Sequence, residues 1–535
     1  MSKGLPRDML DQKTPPEVEV TDEPREPVQD PRLGTEVDVD AKETPRHRLV
    51  AIGDSLTQGF QSGAIYNTDL SYPAIIAYEM GWYDHFRHPS YFGQGGLPIN
   101  LEFLIRELER EFGERLDRWD LPFALLRTRQ FMARVEDWWE RGLGTNVANL
   151  SGINHNLAVY GWDLRDTLEL TADKLEQQIK VPKDHLFWQI VENANERAAL
   201  RVLRAARGED SRALTPLGAA AALGAEGTTE SSKGEGDGIE TLVVLLGANN
   251  ALRSILSLEV VWSEEGFDDL EEKKRFTVWN PMHFQTELDQ VVEQVKEIRA
   301  RHVIWGTVPH VTIAPIARGV GSKVRKGSRY YPYYTRPWIS DEDFDAKNDP
   351  CITGQQARAI DSAIDQYNGY ITKAVREARK EGRDWYLLDV AGVLDRLATR
   401  RYIEDPLARP EWWSKYELPA ELAALSPVPD SRFLASGPRG RTGGGLFSLD
   451  GVHPTTIGYG ILAQELINVM QQYAGVKFYL GDGSTERTGP VTVDFRRLIA
   501  RDTLISDPPR SLTSDVRLIG WIDQTLDSII HRILF

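Results

Sequence analysis

The stretch that decides the fold reads Leu49-Val50-Ala51-Ile52-Gly53-Asp54-Ser55-Leu56-Thr57-Gln58-Gly59. A short apolar run that ends in Gly-Asp-Ser predicts a buried strand followed by a sharp turn, which presents the Ser55 hydroxyl at the carboxyl end of the strand. In open α/β sheets that end is where ligands bind. Gly53 and Gly59 free the backbone on either side of Ser55. Because a serine hydroxyl is a poor nucleophile alone, a nucleophilic Ser55 requires a base and an oxyanion hole elsewhere in the chain.

The best candidate for the base is His453, in Asp450-Gly451-Val452-His453-Pro454. Ten histidines occur in the chain, and His453 alone has an aspartate three residues before it. In a turn, this spacing lets the Asp450 carboxylate reach one ring nitrogen and leaves the other free to take the serine proton. Taken alone, His453 is also explained as a capping or surface residue.

Two further apolar runs predict the oxyanion donors. Residues 241–246 form a run typical of a strand buried on both faces, and it leads into Asn249, whose side-chain amide would lie over the same edge of the sheet. Residues 156–160 lead into Gly161, which offers a backbone N–H that no side chain blocks. Amide and N–H donors aimed at a developing oxyanion are what acyl transfer needs. Asn249 alone is also explained as a turn residue.

Gly-Asp-Ser-Leu, Gly, Gly-x-Asn and Asp-x-x-His, in this chain order, resemble the SGNH (GDSL) hydrolase superfamily of GDSL-like lipases and acylhydrolases. The resemblance spans residues 48 to about 473 and implies an α/β three-layer sandwich, with a central, mostly parallel five-stranded sheet of flavodoxin-like type that carries large insertions. It implies that Ser55 is the nucleophile and lends its N–H to an oxyanion hole completed by Gly161 and Asn249. His453 is then the base and Asp450 orients it, and no cofactor is expected. One departure is Asn250, where the family usually has an aspartate.

The composition narrows the class of protein. The 535 residues are 27% charged and 41% hydrophobic, and the net charge of −17 argues against nucleic acid as a partner. Cys351 is the only cysteine, which excludes an internal disulfide and a cysteine-ligated metal site. No His/Asp/Glu cluster has convincing metal-ligand spacing. The sequence therefore predicts neither a metal nor a cofactor.

Three regions are expected along the chain. Residues 1–46, rich in Pro, Asp and Glu, predict a disordered acidic tail. Residues 47–474 predict the hydrolase domain, with insertions near 82–150, 207–238, 311–350 and 392–446, the second of them a mobile loop. Residues 475–535 predict an extension that ends in a helix with an apolar seam, which packs on the body or joins two copies of the chain. With no signal peptide and no membrane-spanning segment apparent, a cytoplasmic protein is expected.

Periodicity also places the regular elements. Strands are predicted at 48–53, 155–160, 240–246, 302–308 and 385–390. Helices are predicted at 101–112, 123–139, 168–180, 188–206, 284–300, 355–381 and 456–472. This alternation is typical of βαβ units around a parallel sheet.

The segment 311–350 is basic and aromatic in an otherwise acidic chain. It predicts a lid that offers aromatic and cationic groups to a substrate, with these candidate contacts: Arg325, Lys326, Arg329, Tyr333 and Trp338. A loop whose aromatic residues pack on the body is the alternative.

The function expected from these features is that of a serine hydrolase that cleaves or transfers an acyl ester. A carbohydrate or small-molecule ester is the first choice of substrate, and a lipase or phospholipase activity the second. A binding or scaffolding protein that retains the fold without catalysis is the alternative from a different class.

Overall fold

The computed structural model describes residues 5, 9–39, 44–114, 119–147, 152–182, 190–204, 212–226, 238–510 and 512. Its strands are β1 (His47–Gly53), β2 (Phe60–Gln61), β3 (Ala64–Ile65), β4 (Leu97–Pro98), β5 (Ile239–Leu245), β6 (Ala300–Gly306), β7 (Arg318–Gly319), β8 (Tyr333–Thr335), β9 (Ile352–Thr353), β10 (Trp385–Leu388), β11 (Ala435–Gly437) and β12 (Gly440–Gly443). Its helices are α1 (Ser55–Gln58), α2 (Tyr72–Glu79), α3 (Leu101–Phe112), α4 (Leu121–Glu140), α5 (Leu164–Glu169), α6 (Ala172–Gln178), α7 (Ala194–Leu203), α8 (Pro216–Glu226), α9 (Asn249–Ser257), α10 (Pro281–Lys296), α11 (Gly354–Lys380), α12 (Val390–Leu397), α13 (Ala420–Ala423), α14 (Thr456–Gln472), α15 (Phe495–Arg501) and α16 (Thr503–Ser506).

A parallel sheet of four strands, in the order β1-β5-β6-β10, forms the centre of the molecule. These strands coincide with four of the five predicted ones, and the mixed α/β class is confirmed. The last residue of β1, Gly53, lies opposite Leu245, the last residue of β5. The segments that follow these two strands, which carry Ser55 and Asn249, therefore leave the sheet at the same edge.

The fifth predicted strand, at 155–160, does not form. Residues 155–159 run beside β1 and make three backbone hydrogen bonds to it, of which those joining Ala51 to His155 and to Leu157 are 2.8 Å long. The Asn156 side chain accepts from the N–H of Ala158 and donates to the Thr57 carbonyl. Such local side-chain bonds compete with a regular ladder. The sheet therefore ends in an irregular row instead of a fifth strand.

Helices cover both faces of the sheet because the strand side chains alternate between the faces. Val50 and Ile52 of β1 face a core that also contains the apolar sides of α10 and α11. Leu49 and Ala51 face a second core that contains α2 and α14. The carboxyl edge of the sheet lies between these two helical layers, and the loops that follow the strands lie at this edge.

Residues 9–39 correct the expected disordered tail, because they lie along the body in an extended path. Val18 and Val20 are buried in the first core. The N–H of Thr21 donates to the Ser362 hydroxyl of α11 at 3.1 Å, and the N–H of Leu387 in β10 donates to the Pro31 carbonyl at 2.9 Å. The prediction relied on the polar composition of the segment. In the structure, a few apolar side chains and backbone hydrogen bonds hold the segment on the body.

The predicted insertions contain short elements of their own. Three small antiparallel sheets, β2-β3-β4, β7-β8-β9 and β11-β12, surround the carboxyl edge of the main sheet. The expected mobile loop at 207–238 is wrong in part, because residues 216–226 form α8. Val493, Phe495 and Leu498 of the C-terminal extension are buried in the second core, so this part packs on the body. The apolar-seamed helix predicted from Asp515 lies outside the described residues.

Candidate active site

Ser55 lies in the first turn of α1, directly after β1. The Asp54 carboxylate accepts a hydrogen bond from the N–H of Leu56 at 3.1 Å and so caps this short helix. Gly59 ends the helix with φ of 94°, where a side chain would be strained. A Cβ on Gly53 would lie 2.0 Å from the Thr57 hydroxyl, so the strand can turn into the helix only because this position has no side chain. Ser55 is thereby held at the strand end, 6% exposed.

Asp450 and His453 form a buried, hydrogen-bonded pair. Oδ2 of Asp450 lies 3.0 Å from Nδ1 of His453, and it also accepts from the N–H of Gly63 at 3.0 Å. Oδ1 accepts from the N–H groups of Val452 and His453. Burial alone would raise the pKa of Asp450, but the His453 side chain and these N–H groups outweigh it and lower the pKa. An ionised Asp450 is acceptor-only, so the Nδ1 of His453 carries the proton and Nε2 has the free lone pair.

Nε2 of His453 is buried and makes no hydrogen bond with any described residue. The imidazole lies against the Phe60 ring, with the ring centroids 4.6 Å apart. Ser55 and His453 line the same groove at the carboxyl edge of the sheet. The structure thus holds the two residues that sequence analysis paired within one cleft.

The two other predicted oxyanion donors lie together but in a neighbouring cavity. Nδ2 of Asn249 donates to the Trp162 carbonyl at 2.8 Å, which joins α9 to the turn that carries Gly161. Gly161 has φ of 74°, and neither its N–H nor that of Ser55 is used in a hydrogen bond with the described residues. Gly161 and Asn249 line a polar cavity of about 250 Å³, whereas Ala248 and Ser55 line the groove. The start of α9 therefore lies between the two spaces.

The groove beside Ser55 is mostly apolar and has a volume of about 150 Å³. Its walls come from the amphipathic helix α12, the loop before the Asp450 turn and the first half of α14, and they include Val393, Leu397, Leu446, Phe447, Ile461 and Leu462. Sequence analysis missed these walls, because nothing in a helix's own periodicity tells which part of its apolar face stays open to a cleft.

Two titratable residues beside Ser55 were also missed. Burial raises the pKa of Asp54 to about 6, although the nearby His453 opposes this. His310 bonds Asp395 through Nδ1 at 3.2 Å and Asp365 through Nε2 at 3.0 Å. Burial alone would lower the pKa of His310, but Asp395 and Asp365 outweigh it and raise the pKa to about 10. His310 could have been found from the sequence, because it comes just after the predicted strand 302–308 and therefore lies at the same edge of the sheet as Ser55.

None of the five predicted substrate contacts lines the Ser55 groove, which corrects the expected lid. Arg325 pairs with Asp22 and Lys326 is exposed. Tyr333 is part of β8, while Arg329 and Trp338 line a separate cavity. The segment contains β7 and β8, and its cations are engaged by the protein itself: Arg325 and Arg329 contact Asp22, and Lys323 pairs with Asp405.

Among the described residues, no group of three or more His, Cys, Asp or Glu side chains is arranged to hold a metal ion. No helix in the described ranges is both long and apolar enough to cross a membrane. No protein-family model matches the chain, and the search of curated proteins returned no match. The function of the protein is therefore inferred from the residues of the site and their geometry.

Proposed function

We propose that this protein is a serine ester hydrolase of the SGNH type. The observation that carries the proposal is the buried Asp450–His453 pair: Nε2 of His453 has no hydrogen-bond partner among the described residues, and His453 lines the same groove as Ser55. The sheet adds support: with the irregular row at 155–159 beside β1, its order is that of flavodoxin-like sheets, which bind ligands where the order reverses. That point lies between β1 and β5, whose ends carry Ser55 and Asn249.

The proposed reaction has two halves, the acylation of Ser55 and the hydrolysis of the acyl-serine, and the same residues act in both. Oγ of Ser55 attacks the ester carbonyl carbon while Nε2 of His453 takes the hydroxyl proton, and the carbonyl electron pair moves to the oxygen. The N–H groups of Ser55 and Gly161 and the Asn249 amide stabilise that oxyanion. When the C–O bond breaks, His453 returns the proton to the leaving alkoxide. Water then attacks the acyl-serine by the same route and releases the acid and Ser55.

The shapes of the two spaces support a short acyl group on a polar alcohol. The groove of about 150 Å³ is apolar, and an apolar cavity of that volume holds a ligand about the size of benzene. The cavity next to Gly161 and Asn249 offers Asn195, Gln178 and Lys273 to hydroxyl groups. We infer that a carbohydrate or other small polar alcohol carries an acyl group of about six carbons or fewer.

The test of the chemistry is labelling with a fluorophosphonate, followed by mass spectrometry of the modified peptide. Wild-type protein is expected to be labelled at Ser55, and Ser55→Ala and His453→Ala to lose both labelling and ester turnover. The double variant should be hardly slower than either single one, because the two residues act in the same step. Ser257→Ala, a serine on α9 outside the groove, is the matched control. A folded wild-type protein without label would favour the non-catalytic scaffold.

The test of the substrate class is a series of nitrophenyl esters with acyl chains from acetate to palmitate. kcat/KM is expected to fall about tenfold or more for chains that exceed the groove, because a chain that does not fit strains the walls or holds the ester carbonyl away from Ser55. A maximum at palmitate would instead favour the lipase alternative while leaving the serine chemistry intact.

A further inference from the structure

A cavity of about 620 Å³, separate from the Ser55 groove, lies behind the loop that follows β6. The two spaces share that loop as a wall: Val311 and Ala314 line the groove, whereas Thr312 and Ile313 line the cavity. Cavities of this volume are typical of small-molecule sites. The esterase chemistry does not use this one.

The lining of this cavity is rich in arginine. Five arginines line it, Arg318, Arg329, Arg400, Arg401 and Arg432, against a single acidic residue, Asp341. Three of the five have carboxylate partners. Arg318 pairs with Asp341, Arg401 pairs with Asp361 at 2.8 Å, and Arg432 pairs with Asp430 at 2.6 Å. The other two, Arg329 and Arg400, form no ion pair within the described ranges.

Arg329 is a buried cation that no carboxylate of the described residues contacts directly. It is only 5% exposed, and its polar contacts are neutral: Nη2 donates to the Asp22 carbonyl at 3.3 Å, and the Tyr402 side chain lies close by. The carboxylates nearby are already engaged, that of Asp22 by Arg358 and that of Asp361 by the ion pair given above. Burial alone would lower the pKa of Arg329, but the nearby Tyr330, Tyr402 and Asp361 outweigh it and raise the pKa, so the guanidinium stays charged. Its buried Nε has no hydrogen-bond partner among the described residues, which leaves a charged donor for an anionic ligand.

Arg400 adds a second cation and the aromatic side chains add an apolar wall. Nη2 of Arg400 donates to the Gly319 carbonyl at 3.0 Å, and its guanidinium lies over the Tyr331 ring. Trp338 and Phe433 line the same cavity. Two guanidinium groups with neutral partners, next to aromatic rings, suit a ligand with an anionic group and an apolar body.

We propose that this cavity is a second ligand site, which binds an organic carboxylate or phosphate through Arg329 and Arg400 and packs the ligand's apolar body against Trp338 and Phe433. The proposal is independent of the esterase chemistry, since neither arginine lines the Ser55 groove.

The first test measures the binding of naphthoate, naphthyl phosphate and the neutral naphthamide by calorimetry. At least one anion is expected to bind, and naphthamide about tenfold or more weakly, because charge-assisted hydrogen bonds are lost. Ser55→Ala should bind the anion as wild type does, which separates this site from the groove. Failure of both anions to bind at millimolar concentration, or equal binding of the amide, overturns the proposal. The preferred anion tells a carboxylate source from a phosphate source.

The second test uses two arginine variants. Arg400→Gln is expected to weaken the anion about tenfold and to leave naphthamide unchanged, whereas Arg496→Gln, at an exposed arginine outside the cavity, changes neither. Arg329→Gln should lose the rise in Tm that naphthoate produces in wild type. Unchanged anion affinity in Arg400→Gln overturns the proposal, even if Arg329→Gln fails to fold.

Discussion

At the scale of single residues, some hydrogen bonds of the Asp450 carboxylate follow from the local sequence and others do not. Two of its N–H donors, from Val452 and His453, lie two and three residues away and follow from the geometry of the turn. The third comes from Gly63, 387 residues away, and no local pattern announces it. The pairing of Asp450 with His453 was therefore predictable from spacing, whereas the complete set of hydrogen bonds to this carboxylate needed the fold.

Asn249→Ala tests the proposed oxyanion hole. Turnover is expected to fall about 10²–10³-fold with a smaller change in KM, as for the loss of one donor to a developing oxyanion. The matched control is Asn250→Ala at the next position, where the buried Nδ2 has no partner among the described residues. Equal losses in the two variants would mean that the helix α9, and not the Asn249 amide, is what the reaction needs.

His310→Gln tests the buried histidine beside the groove through the pH dependence of stability. The pKa of His310 is raised from 6.5 to about 10 on folding, so its contribution is complete below pH 6.5 and is lost as the pH rises towards 10. The variant should lose ~3 kcal/mol at neutral pH, because Asp365 and Asp395 lose the cation that bonds both of them, and much less at the alkaline end. Urea unfolding across this range measures the difference. A difference that stays constant with pH would contradict it.

At the scale of elements, four of the five predicted strands form within two residues of their predicted bounds, whereas the predicted helix 168–180 is two helices, α5 and α6. The bounds predicted for α3 and α14 agree with the structure, because each carries a periodicity that a helix satisfies within itself. The strand expected at 155–160 does not form because its ladder depends on β1. In addition, the Asn156 side chain accepts a hydrogen bond from the nearby N–H of Ala158. A strand needs a partner, and the pattern of one segment cannot supply the register of another.

Gly53→Ala tests the junction between β1 and α1. The added methyl group would meet the Thr57 hydroxyl and would lie 2.8 Å from the Leu245 carbonyl oxygen. We expect a loss of ~1–3 kcal/mol in the free energy of unfolding, with reduced turnover because Ser55 shifts. Gly369→Ala in α11, where no atom lies within 4 Å of the added methyl group, is the control and should be neutral or stabilising by up to ~1 kcal/mol. Chemical denaturation compares the two, and equal midpoints would refute the tight junction.

At the scale of the whole molecule, the N-terminal segment is the largest departure from the sequence prediction. Arg25 reaches Asp389 at the end of β10 at 2.5 Å and lies 3.5 Å from Asp365, which in turn bonds His310. Composition correctly describes the segment as polar and acidic, but composition averages over residues. A few anchoring side chains decide whether such a segment stays on the surface of the body, and their partners are more than three hundred residues away.

Deletion of residues 1–43 is therefore expected to lower Tm markedly. It removes the buried Val18 and Val20 and leaves Asp389 without Arg25. Arg25→Gln alone should cost ~1–3 kcal/mol, discounted for its partial exposure. Lys13→Gln, at an exposed residue of the same segment, should be neutral. A truncated protein with the Tm of wild type would contradict this prediction and would mean that the segment contributes nothing to stability.

The same segment has a consequence for how the protein is made. Thr21 leaves the ribosome first, but its partner Ser362 follows 341 residues later. At typical rates of synthesis this interval is roughly 20–70 s, during which Val18 and Val20 have no place to dock. The edge of β10 likewise stays open until Pro31 returns to it. This segment is thus synthesised well before the residues on which it docks, and chaperones have that interval in which to act on it.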